Sequence, residues 1–213
     1  MIMLFRNMKM SNSGFSLIET LVAMTVLLLV VVGPMRIIAT SARGSNFSSN
    51  QVTALFLAQE GIELSRKARD EEVLSRYNVN NGVDPSYWGA FTDTGNTGKY
   101  KACFGSAGCD FYYSNIFFGN SNGEVNVVDC SIGGSCKMTY DADPSPEVRS
   151  HFVPRAAGRI QAIPTSFTRR VRFMETVPDQ EVKVVSTVSW FDSTQRQEHQ
   201  VVLESRLFNI YGN

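Results

Sequence analysis

The sequence predicts an α+β chain in which a long N-terminal helix, membrane-spanning in its first half, packs on a small C-terminal antiparallel β-sheet. Three observations predict it. Leu21 to Val32 reads LVAMTVLLLVVV, with no charge and one hydroxyl. A second helical pattern, apolar on one broad face and charged on the other, runs from Gln51 to about Arg76. Three segments of alternating character close the chain after Phe167. The expected divisions are a leader at 1–14, a span at 15–35, a helix continuation at 36–76, a loop-rich cysteine-containing region at 77–164 and a sheet at 165–213.

As a helix, Phe15 to Met35 is roughly 32 Å long, against about 30 Å for a bilayer's hydrocarbon core. One crossing fits. Arg6 and Lys9 lie in a leader without acidic residues, so the positive-inside rule places the N-terminus in the cytoplasm and the rest outside. A secretory signal peptide starts in the same way. Its apolar core, however, usually runs only about 7–15 residues, and Ala39-Thr40-Ser41 offers only a weak cleavage site. Lys and Arg total 20 against 20 Asp and Glu over the 213 residues. That neutrality gives no reason to expect a nucleic-acid partner.

Glu19 stands inside the apolar run. A charged side chain at a bilayer centre costs about 2.5–3.5 kcal/mol, less near an end, and such groups are functional candidates. The word around it, Gly14-Phe15-Ser16-Leu17-Ile18-Glu19, resembles the class III signal of type IV pilins and pseudopilins. The resemblance implies cleavage after Gly14 by a prepilin peptidase and N-methylation of Phe15. It also implies that Glu19, at the fifth mature position, pairs with the new amine of Phe15 in its own or a neighbouring subunit. Ser11-Asn12-Ser13 precedes the glycine where many relatives carry Lys or Arg. A glycine lets the bond enter a narrow protease cleft in extended form. A buried carboxylate that loses its partner costs about 3–5 kcal/mol, so Glu19 is expected to set axial register during assembly.

Gly33-Pro34 should kink the helix or locally unwind it, because proline removes a hydrogen bond and clashes with the preceding turn. Ser41 to Gln51, SARGSNFSSNQ, has weak helix preference. Beyond it, Val52, Leu55, Phe56, Ile62 and Leu74 can be threaded on one face expected to pack on the sheet, and Glu63 with Lys67 forms a favourable i,i+4 pair. "LAQEGIELSRKARDEE" (Leu57–Glu72) resembles the mid-helix region of minor pilins.

Residues Asn78 to Pro164 read as loop, rich in Gly, Asn, Ser, Asp and Pro. They hold all four cysteines, Cys103, Cys109, Cys130 and Cys136. An even count outside the cytoplasm suggests disulfides. The two local pairs, Cys103–Cys109 and Cys130–Cys136, are favoured because Gly and Ser between them let a tight loop close. The nested pairing, Cys103–Cys136 with Cys109–Cys130, is the rival. Zinc is disfavoured, since the usual 2–4 residue ligand spacing is missing.

The strands are Phe167–Glu175, Glu181–Phe191 and His199–Ile210. In the second, Val182, Val184, Val188 and Trp190 share a face; in the third, Val201, Leu203, Ser205 and Leu207 do. Asp192–Gln197 is a hairpin link, and short links imply an antiparallel meander. The Gln51–Arg76 helix would cover one face, which is the lollipop of the pilin family. "VSTVSWFD…HQVVLESRLFN" resembles the C-terminal sheet of prepilin-type proteins.

No nucleophile word surrounds His151 or His199, and no phosphate-cradling loop appears. Arg169, Arg170 and Arg172 cannot all point one way on a strand and are read as a solvated face. No enzyme activity, cofactor or metal is expected. The resemblance implies a structural subunit of a type IV pilus or type II secretion-like pseudopilus, most consistent with a minor one. It would be an inner-membrane precursor first and part of a cell-surface or periplasmic filament later. The expected partners are prepilin peptidase, other pilin subunits, the assembly platform and, before assembly, membrane lipid. The alternative is a non-polymerising single-span protein with a ligand-binding or sensing ectodomain.

Overall fold

The computed structural model describes residues 14, 16–114, 124–141, 151–155, 162–192 and 196–211. The chain divides into two compact units between Ser48 and Ser49, and each is described by itself.

In the first unit the helix α1 (Leu17–Ser75) begins. It is long and apolar enough to cross a membrane. Its two threonine hydroxyls within the apolar run bond the preceding turn, Thr20 Oγ1 donating to Leu17 O (2.9 Å) and Thr25 Oγ1 to Val22 O (2.8 Å). Neither hydroxyl proton is therefore left over where water would be absent. Of the two outcomes expected at Gly33-Pro34, a kink or local unwinding, the second is not seen, since Pro34 lies within an uninterrupted helix. Proline forfeits one backbone bond, while apolar residues on both sides continue the turns. Ser41 to Gln51 is helical as well. Its weak intrinsic preference gives way because extending a helix already nucleated on either side costs little per residue.

In the second unit α1 covers an antiparallel sheet. The buried stripe of the helix includes Ala54, Leu57, Ala58, Gly61, Ser65 and Ala68, recurring every three to four residues as one helical face must. This corrects the expected face. Ile62 is buried, but Val52, Leu55, Phe56 and Leu74 are exposed. The reason is distance. A Cβ on Gly61 would lie 2.6 Å from Ser186 Oγ, 3.2 Å from Val171 Cγ2 and 3.3 Å from Arg169 Cδ, so at this point helix and sheet meet too closely for a large side chain. The Glu63–Lys67 pair is replaced by two others: Glu63 pairs with Arg66 (2.6 Å) and Lys67 with Glu71 (3.9 Å).

After α1 come the short ribbon β1 (Tyr77–Asn78) and β2 (Gly82–Val83), then α2 (Tyr87–Thr92) and α3 (Lys101–Phe104). The main sheet comprises β3 (Cys109–Ser114), β4 (Glu124–Asp129), β5 (Lys137–Asp141), β6 (His151–Pro154), β7 (Ile163–Val177), β8 (Glu181–Asp192) and β9 (Gln197–Phe208). The long β7 is its axis. One edge pairs with β8 along most of its length. The other is shared by β5 near its start and β3 at Val171. The meander β7-β8-β9 stands as expected, with Asp192 opposite Gln197 at the second hairpin. Val182, Val184, Val188 and Trp190 are buried on one face, joined by Ser186.

The reading of 78–164 as loop is corrected by β3 to β6 and the two short helices. Their strands are short, and turn residues between them hide the alternation. What organises them is aromatic: Tyr87, Trp88 and Phe91 of α2, with Tyr100, pack with Phe111 and Phe173 in the core beneath the sheet. Cys103 bonds Cys109 (Cα–Cα 4.5 Å), tying α3 to the start of β3, and Cys130 bonds Cys136 (5.3 Å) across the β4–β5 turn. Gly108, inside the loop that the first bridge closes, has φ +72°, and a Cβ there would lie 2.7 Å from Val171 O, so only glycine lets the chain come this close to β7.

The basic cluster is also corrected. Arg170 and Arg172 are exposed, but Arg169 is 1% exposed on the helix-facing side of β7. Its guanidinium donates from Nε to Asp110 Oδ1 (2.6 Å), from Nη1 to Glu60 Oε2 (2.6 Å) and Leu57 O (3.4 Å), and from Nη2 to Phe111 O (2.8 Å). A buried guanidinium needs this many acceptors to replace water, and the neighbouring arginines, which face solvent, do not.

Candidate functional site

The sequence concentrates its functional signal at the start of α1. Gly14 is exposed and non-helical. A Cβ built on it would meet nothing within 4 Å, so nothing in the described fold requires a glycine at this point. Phe15, the expected methylation site, lies outside the described residues. Ser16 precedes the first helical residue, and its carbonyl accepts from Glu19 N (2.9 Å) and Thr20 N (3.2 Å).

Glu19 thereby falls in the first turn of α1. N–H groups at a helix start have no preceding turn to bond, and the aligned peptide dipoles make that end positive. Glu19 is exposed and shares a shallow apolar groove with Ile18, Val22, Ala23, Val26 and Leu27. One acid on an otherwise apolar, uncovered helical face can accept a cation laid against that face.

Reasoning from the sequence did not foresee the second polar centre, around Arg169. An arginine on the same parity as Phe167, Val171 and Phe173 was a usable signal for it. It also missed the seam between helix and sheet edge. There both oxygens of Glu71 accept from Val125 N (3.1 and 3.0 Å), and Lys67 Nζ stands 3.5 Å from the centre of the Tyr113 ring. His199 stacks on Trp190 at 5.5 Å, and the side chain of His151 is outside the described set. Among the described residues, no group of three or more His, Cys, Asp or Glu is placed to hold a metal.

Residues 9–33 match the family model for the prokaryotic N-terminal methylation motif. This is the class III signal of type IV prepilins, and it spans the leader end, Gly14, Phe15, Glu19 and the apolar run up to Gly33. Neither a curated protein nor a solved structure matches the chain.

Proposed function

From the class III signal at the head of an uncovered apolar helix, we propose that this chain is a structural subunit, of the minor kind, of a type IV pilus or type II secretion-like pseudopilus. It enters the inner membrane as a precursor with its C-terminal unit outside. Prepilin peptidase cuts between Gly14 and Phe15, the amine of Phe15 is methylated, and Glu19 pairs with such an amine as the subunit leaves lipid for the filament. The match over residues 9–33 carries this reading. Two features support it. Gly14 has open space around its missing Cβ, so the glycine answers to something other than the fold. Every large apolar side chain from Leu17 to Ile38 is exposed, a surface suited to lipid or to other helices. The minor assignment rests on the enlarged C-terminal unit, in which the described residues of 77–162 add two short helices and six strands to the C-terminal meander.

Intact mass and N-terminal sequencing of membrane-extracted protein test it. The mature chain should begin at a methylated Phe15, and only in cells with an active prepilin peptidase. A mature chain beginning upstream would point instead to a non-polymerising single-span protein. Glu19→Ala should be cut normally yet fail to enter filaments, and normal incorporation would remove the register role.

A further inference from the structure

Between α1 and the sheet, a buried arginine and a buried aspartate meet a half-exposed glutamate, and the three charges do not balance. Arg169 brings one positive charge, Asp110 and Glu60 two negative ones. Arg169 is 1% and Asp110 0% exposed, while the Glu60 side chain is 44% exposed. The two carboxylates are therefore not equivalent, since water stabilises Glu60 and cannot reach Asp110.

The oxygens of Asp110 are not equivalent either. Oδ1 accepts from Arg169 Nε (2.6 Å) and from Phe111 N (2.8 Å), while Oδ2 is buried without a hydrogen-bond partner. An ionised carboxylate calls for donors at both oxygens. A bare, buried oxygen costs more as part of a charged carboxylate than as part of a neutral acid, so the site disfavours the ionised form although Oδ2 finds no partner in either. The charged groups facing Asp110 are Arg169 from β7 and Glu60 from α1, and β4 presents Val128 opposite it.

We propose that Asp110, Arg169 and Glu60 form a proton-operated clamp between α1 and the sheet: Asp110 takes up a proton in mildly acid surroundings, leaving one guanidinium and one carboxylate in balance and the helix held more firmly. Burial pushes the Asp110 carboxyl up to about 6 from its usual value near 3.8, against the pull of Arg169, with Glu60 adding to the rise. Arg169 stays charged throughout, for burial pulls it down but Asp110 and Glu60 more than offset this. The direction follows from linkage. The folded state binds the proton more tightly than the unfolded chain, so stability is fully present below about 4 and is lost as pH rises through about 6. Across that window each pH unit changes the equilibrium for releasing the helix by up to about tenfold. The clamp does not depend on polymerisation.

Hydrogen exchange of the full chain in detergent tests it, read at the amides of Ala54–Ala68 between pH 4.5 and 7.5. Wild type and Asp110→Asn are compared at each pH, so that the intrinsic exchange rate cancels. Protection in wild type relative to Asp110→Asn should rise by about tenfold or more on acidification, and a flat ratio overturns the clamp. Glu60→Gln, at a half-exposed position, keeps the test decisive even if Asp110→Asn does not fold. Removing that negative charge should move the midpoint of the wild-type transition to lower pH. An unmoved midpoint, or no transition in wild type, overturns the clamp.

Discussion

Between Leu17 and Ile38 every large apolar side chain of α1 is exposed, while between Ala54 and Ala68 the same helix buries mainly alanine, glycine and serine and leaves Phe56 64% exposed. The first half has the composition of a segment meant for a fluid apolar surrounding, which can fit side chains of any size. The second half meets a rigid sheet, and its backbone comes close enough that Gly61 has no room for a Cβ. What is buried there depends on size before hydrophobicity. Close-packed interiors penalise one extra methylene as readily as a missing one, so a helix docked on a sheet keeps its small residues inside.

The largest expected effect comes from the charged group inside this small-residue interface. Arg169→Met leaves Asp110 buried without its cation and should cost about 3–5 kcal/mol, read as a fall in the denaturation midpoint of the detergent-solubilised chain. Adding Asp110→Leu should restore much of the loss, since an apolar replacement of a whole buried pair is often neutral. Failure of the double variant to recover would mean that Arg169 acts through Leu57 O and Phe111 O more than through charge.

Next is Gly61→Leu, with an expected cost of about 1–3 kcal/mol or more from overpacking, although leucine is both more apolar and a better helix former than glycine. Gly61→Ala should cost less. A stabilising leucine would contradict the close contact with Ser186 and, with it, the contrast between the two halves. Replacing Cys103 and Cys109 together by alanine should cost about 2 kcal/mol, as expected for a short closed loop. Under reductant, which also opens Cys130–Cys136, the melting transition of wild type should fall at least as far.

Parts of this architecture were legible in the sequence because single residue types carried them. The apolar run, the Gly14-Phe15-Glu19 word and the alternation of Val182, Val184, Val188 and Trp190 are each strong local signals. The local cysteine pairs were legible as the favoured option, short spacing and small residues being enough to suggest closure. What could not be read was anything decided by a partner element. The buried face of α1 depended on how closely the sheet approaches, so a pattern of large apolar residues selected Val52, Leu55, Phe56 and Leu74, which are outside. Strands β3 to β6 depended on aromatic residues arriving from α2 and β7. Arg169 could be told from Arg170 and Arg172 only once Asp110 and Glu60 were known to meet it.

The smallest effect on stability is expected where the contrast is sharpest, at Phe56. Its ring is mostly exposed on the outer side of the helix, so Phe56→Ser removes little buried area. It should change the stability of the isolated chain by no more than about 0.5 kcal/mol. If the chain works alone, that is the whole consequence. If it polymerises, helices of neighbouring subunits take the place the sheet does not fill, and the same substitution exposes a polar group to a packed interface. Incorporation into filaments should then drop while cleavage, methylation and the melting transition stay as in wild type. A variant that assembles normally would show that the large side chains outside the helix–sheet contact, unlike the small ones within it, have no packing partner at all.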